Sequence, residues 1–294
     1  MLRLFDHLRR AALASFGHSA FSTAKAAAYS AVFSLFPALL VVTTLLAITP
    51  EGGSFSGEIR AAFAQVLPPD TMYLVQAYFQ INHTRSVHLI WSASFVTVAA
   101  SMGFMLSLME GFRRAYGLQR NVWSFWRERV VAFLLLPGTL IPMVFATLLV
   151  AFGHTIERWM VENADHVLRM YVLLVWRIIR WTIATCTSVA VLTVLYHFGV
   201  PHRRNWRTVL PGAALGTVTW FLVTLAYGWY VTRFSDYSLV YGSFGAGVAT
   251  LIWLYMVSIS ILIGSEFNAQ LFPLPGTLTR KPEHESAPVN PQTV

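Results

Sequence analysis

Six stretches of this chain, each 19–23 residues long, contain no Asp, Glu, Lys or Arg: residues 26–48, 88–109, 130–152, 181–199, 209–231 and 244–265. All 34 charged residues fall in the other 162 positions. The solvent that accepts such segments is lipid. Crossing about 30 Å of hydrocarbon takes roughly 20 apolar residues in a helix, and a charge at the centre costs about 2.5–3.5 kcal/mol on insertion scales. Lipid offers no partner to an exposed peptide group, so each segment must satisfy its backbone within a helix or a closed barrel. Barrel strands alternate in polarity over about 10 residues, and no such alternation runs through these stretches. A composition of 56% apolar and 12% charged residues, with a mean hydropathy of +0.57, points the same way. The expected fold is all-α: a polytopic membrane domain of six transmembrane helices over residues 26–272, with segment 1–25 before it and a tail, 273–294, after it.

An even number of spans places both termini on one side of the membrane. The segments on that side hold 14 of the 21 Lys and Arg residues, and those on the other side hold 7. By the positive-inside rule the termini are cytoplasmic. The acidic residues divide 6 to 7, so the whole net charge of +8 lies on the cytoplasmic face. Such a face suits contact with anionic lipid. A nucleic-acid partner is disfavoured, because no RNA-binding motif accompanies the charge. The first apolar run is too long for a signal peptide and lacks a small-residue cleavage pattern, so it reads as an uncleaved anchor. The single Cys186 supports no intrachain disulfide and suits packing as a small apolar residue.

In residues 1–25, Leu2, Phe5, Leu8, Ala12 and Phe16 recur at steps of three or four. That spacing predicts an amphipathic helix, either in the cytoplasmic interface or packed on the end of the bundle. Residues 56–67 carry a similar apolar spacing, which predicts an external helix before Pro68-Pro69. Between spans two and three, Arg113, Arg114, Arg120, Arg127 and Arg129 alternate with Trp123 and Trp126, a pattern of interfacial anchoring. Arg177 and Arg180 immediately precede span four; if that helix begins near Tyr171, both lie on one face inside the outer leaflet. There they either snorkel to external headgroups or serve a functional site. Glu110 and Glu266 end spans two and six, where Lys25, Arg113 and Arg114 are candidate partners in an ion-pair cluster or cytoplasmic gate.

Gly212 and Gly216 form a Gly-x-x-x-Gly motif, and Gly242, Gly245 and Gly247 crowd the start of span six. Small residues let helices approach closely in lipid, and packing within one chain is favoured here over dimerisation. Pro37, Pro137 and Pro142 lie mid-span and predict kinks, whereas Pro211 sits near a helix start, where proline is tolerated. The Pro-rich, polar tail is expected to be disordered.

Two stretches resemble the YihY/BrkB family of bacterial inner-membrane proteins. One is Ala26-Ala-Ala-Tyr-Ser-Ala-Val-Phe-Ser-Leu-Phe-Pro37. The other begins at Leu210-Pro-Gly-Ala213, resumes at Tyr241-Gly-Ser-Phe-Gly245 and runs through Ile252-Trp-Leu-Tyr255 to Gly264-Ser-Glu-Phe-Asn268. Ser265 departs from the family's usual Ala. The resemblance implies a multi-pass inner-membrane protein with both termini cytoplasmic. Members of the family carry the labels ribonuclease BN, serum-resistance factor and transporter, and the resemblance supplies no catalytic residue.

The residues themselves narrow those labels. A metal-dependent nuclease needs clustered His, Asp or Glu, but the nine histidines make no His-x-His or His-x-x-x-His spacing. No Gly-x-Ser-x-Gly elbow, P-loop or dinucleotide turn occurs, so neither an enzyme nor a bound cofactor or metal is expected. What remains is a transporter or flippase-like protein for an amphipathic or lipid-like substrate, with membrane lipids, anionic ones included, as partners. Arg177 and Arg180 are its candidate headgroup contacts; Glu110, Arg113 and Glu266 are its candidate inner gate. A non-transporting scaffold for envelope partners is the alternative, and a ribonuclease the weaker one. Oligomeric state is not legible.

Overall fold

A computed structural model describes residues 9, 11, 17, 19–48, 87–119, 122–163, 166–201, 205–234 and 237–274. Six long helices account for nearly all of them: α1 (Ala20–Ile48), α2 (Val87–Ala115), α3 (Phe125–Asn163), α4 (His166–Phe198), α5 (Trp206–Phe234) and α6 (Tyr237–Leu271). Among the described residues there is no strand. All six helices are long and apolar enough to cross a membrane. Each contains one uncharged stretch, save that Gly199 falls just past the end of α4.

The helices outrun the stretches that predict them. Residues 20–25 open α1 rather than closing a separate amphipathic helix, and the rest of that predicted helix lies mostly outside the described residues. The predicted external helix at 56–67 and the tail from 275 lie outside them entirely. Pro37 in α1, Pro137 and Pro142 in α3 and Pro211 in α5 are all interior to helices that continue through them.

Consecutive helices pack side by side, α1 on α6 closes the circuit, and α2 also reaches across to α6. At one end of the bundle α1, α3 and α5 begin and α2, α4 and α6 finish; we term this the near end. The larger core cluster belongs to it, with Ala24 of α1, Phe112 of α2, Leu135 of α3, Tyr196 of α4, Val209 of α5 and Leu262 of α6 packed together. Beyond it, among the described residues, a cluster of Tyr227, Val231, Ala249 and Trp253 joins α5 to α6.

The tightest helix contact is the α5–α6 seam. Gly212 and Gly264 face each other so closely that a Cβ on either would collide with the other's carbonyl oxygen. Asn268, fully buried, accepts from the Gly212 amide at 2.7 Å and donates to the Val209 carbonyl at 2.9 Å. One turn along, Gly216 lies against the Tyr196 hydroxyl, which donates to the Ile261 carbonyl at 2.6 Å. In lipid, where apolar faces gain nothing by leaving solvent, close backbone approach and interhelical hydrogen bonds hold helices together.

Candidate functional site

The turn after α2 builds the first constellation. Gly117 adopts φ 62°, the Gly117 amide donates to the Arg114 carbonyl at 3.0 Å, and the Leu118 amide donates to the Arg113 carbonyl at 2.9 Å. This Schellman closure ends α2 directly after its two arginines. The chain then starts α3 after Ser124, which puts Glu128 in the first turn. Basic groups thus sit at the C-terminus of α2 and an acidic group at the N-terminus of α3, each favoured by its helix dipole. Arg113, nearly fully buried, donates to both Glu110 on its own helix and Glu128 on the next. Arg114 donates from Nε to Glu110 at 3.0 Å and from Nη1 to the Thr23 hydroxyl of α1 at 3.4 Å. One network ties the near ends of α1, α2 and α3.

Of the residues expected at this gate, the structure brings Glu110, Arg113 and Arg114 together. Lys25 is exposed on α1, and Glu266 is buried in α6, five residues before its end. Glu128, which completes the network, carries a signal in the sequence: the Gly117 stop and Ser124 start fix a short turn that returns it towards Arg113.

The second constellation lies past the core, between α3, α4 and α5. A cavity of about 220 Å³ opens there. Met143, Ala146 and Thr147 of α3 form one wall, and Trp181, Ala184 and Ser188 of α4 another. Trp220, Phe221 and Thr224 belong to the α5 side. The hydroxyls of Thr147 and Ser188 donate to carbonyls one turn back, and Thr224 accepts from the Trp253 indole at 3.3 Å. The Trp220 indole N–H is buried without a partner among the described residues.

Arg180 stands one helical turn before Ala184 and two before Ser188, both of which line this cavity, though Arg180 is not itself among the lining residues. It is 5% exposed, whereas Arg177 is exposed. The two arginines are neighbours on the helix, about 60° apart, yet one is buried and the other exposed, so the edge of the packed face of α4 falls between them.

Elsewhere the predicted residues scatter. Gly212 and Gly216 sit in the seam, but a Cβ on Gly247 would meet open space. Gly264 lies in the Gly264-Ser-Glu-Phe-Asn268 stretch of the family resemblance, whereas no motif marks Gly111, where a Cβ would strike Leu262. Cys186 is exposed on α4. Most span hydroxyls back-bond within their own helix, as at Ser107, Thr193 and Ser258. Among the described residues no three His, Cys, Asp or Glu side chains gather to hold a metal ion.

A family model described as Virulence factor BrkB matches residues 16–286. The chain is 29% identical over 256 residues to a protein named as ribonuclease-like, YfkH of Bacillus subtilis (strain 168), spanning 86% of this chain and 90% of that one. It is 28% identical over 261 residues to a UPF0761 membrane protein of Chromohalobacter salexigens, covering 86% of this chain and 60% of the relative. A UPF0761 membrane protein of Stenotrophomonas maltophilia (strain K279a) is 23% identical over 258 residues, with 85% and 57% covered. The chain thus spans somewhat under two thirds of these two longer relatives. No solved structure matches.

Proposed function

The chain belongs to the BrkB family of membrane proteins, and from that premise we propose that it moves an amphipathic, lipid-like substrate with an anionic head across the bacterial inner membrane. The near end is the cytoplasmic one, since the segments on that side hold twice the basic residues of the other. The observation that carries the reading is a buried arginine on α4, Arg180, one residue before Trp181 and one turn before Ala184, which line an apolar cavity among the spanning helices. A guanidinium inside a membrane helix costs about 2.5–3.5 kcal/mol on insertion scales, and such residues characteristically mark substrate pathways. Arg180 offers the charge for a phosphate or carboxylate head; Trp181, Phe221 and Met143 offer an apolar wall for its tail.

The remaining parts fit a carrier closed on one side. Core packing and the Glu110–Arg113–Glu128 network hold the near ends together. Opening the near end requires the ion pairs between α2 and α3 to part, and a substrate that prefers the parted state shifts that equilibrium by its differential affinity. No covalent chemistry is required, and the reading is non-enzymatic.

Flux in reconstituted vesicles tests it. With a fluorescent phosphatidylglycerol analogue and an impermeant quencher, the wild-type protein exposes inner-leaflet probe faster than protein-free vesicles. Arg180→Gln lowers that rate about tenfold, the equivalent of about 1.4 kcal/mol, and Arg177→Gln leaves it near wild type. Equal rates for Arg180→Gln and wild type, at equal folded fractions, overturn the assignment.

A further inference from the structure

A second cavity, of about 530 Å³, lies at the near end against the starts of α1 and α3 and the last turns of α2. Ser22, Thr23 and Ala26 belong to its α1 side and Leu106, Ser107 and Arg114 to its α2 side; Trp123, Phe125 and Arg129 come from the turn and α3. Its charged groups are unevenly committed. Both carboxylates, Glu110 and Glu128, receive a hydrogen bond from Arg113, which spends an Nη on each. Arg114 gives one Nε bond to Glu110 and one long Nη1 bond to Thr23. Arg129 lies over the Phe125 ring at 3.3 Å, and its Nη1 donates to the Phe125 carbonyl, also at 3.3 Å.

A guanidinium has five N–H donors, so Arg114 and Arg129 each keep several. The Trp123 indole N–H adds another: it is buried and has no partner among the described residues. Among the described residues three guanidinium groups face two carboxylates, and both carboxylates are engaged. The cavity is therefore rich in donors and carries a surplus positive charge, which matches a dianionic or monoanionic oxygen cluster and not a cation. Its Ala26, Leu106 and Phe125 surfaces are apolar, and the neighbouring Phe125 and Trp126 are exposed in the manner of an interfacial aromatic belt. An acceptor-rich head joined to an apolar tail, at the depth where headgroups lie, is a phospholipid.

We propose that this cavity binds the phosphate of a membrane lipid, with Arg114, Arg129 and the Trp123 indole N–H as its donors. The assignment is independent of transport: it concerns a different cavity from that of Arg180 and requires no flux.

The test is lipid retention by native mass spectrometry. Full-length protein is released from nanodiscs of equal parts phosphatidylglycerol and phosphatidylcholine, then repeated with millimolar inorganic phosphate present. Wild type retains phosphatidylglycerol over phosphatidylcholine, and inorganic phosphate does not displace it. Arg114→Gln with Arg129→Gln reduces that retention about tenfold, or about 1.4 kcal/mol. Trp123→Phe, which keeps an aromatic ring and leaves Arg129 in place, reduces it severalfold at an unchanged melting temperature. Undiminished retention in Trp123→Phe and the double variant overturns the site; displacement by inorganic phosphate overturns the lipid as its ligand.

Discussion

Alanine at Gly212 is expected to prevent recovery of a folded, monodisperse bundle. The added Cβ would collide with the Gly264 carbonyl oxygen and the Asn268 amide, and both are held by other contacts. A backbone carbonyl cannot rotate aside as a side chain can, so α5 and α6 must separate. Overpacking of this kind costs about 1–3 kcal/mol, and losing the Asn268 bonds to Gly212 and Val209 leaves buried groups unsatisfied at about 1–3 kcal/mol more. The sum, about 2–6 kcal/mol, reaches the lower end of the roughly 5–15 kcal/mol that keeps a domain folded. Gly228→Ala, in the same helix with open space beside it, is the control. Size-exclusion profiles and thermal melting should show Gly228→Ala at wild-type level and Gly212→Ala lost; comparable melting of the two variants would contradict the seam as described.

Arg113→Ala should destabilise the protein by about 3 kcal/mol, the lower part of the range for breaking a buried pair. The discount reflects the partial exposure of its partners, 25% for the Glu110 side chain and 17% for that of Glu128. Most of the loss comes from Glu128, since Glu110 keeps its bond to Arg114. Combining Arg113→Ala with Glu128→Gln should therefore recover a large part of the stability, because the uncompensated charge is removed with its partner. Denaturant titration of the two single variants and the double variant measures this coupling. Simple additivity would show that α2 and α3 are not joined through this pair.

The exclusion of charge from six stretches made the spans legible, because lipid penalises a charge most heavily near the middle of a span. Which faces meet was far less legible. A helix apolar on all sides has no stripe to mark its partner, so the Gly212–Gly216 motif and the Gly264-Ser-Glu-Phe-Asn268 stretch are both visible in the sequence, but not that they face each other. The pair Arg177 and Arg180 illustrates the same limit: identical side chains three residues apart could be separated only by the packing of α4 against α3 and α5. Local electrostatics fared better. Glu110 lies three and four residues before Arg113 and Arg114, a spacing that puts all three on one helix face. Glu128 joins them only because a Gly117 turn reverses the chain, which is a property of backbone geometry rather than of the residues it unites.

The most direct examination of a carrier shut at its near end is site-directed thiol labelling from each side of the membrane. In a Cys186→Ser background, Ser188→Cys reports on the cavity between α3, α4 and α5, and Leu195→Cys reports on the near-end core. With a membrane-impermeant maleimide, Ser188→Cys should be labelled from the far side and protected from the near side, while Leu195→Cys stays unlabelled from both. Labelling of Ser188→Cys from the near side, or from neither side, would contradict the proposed arrangement.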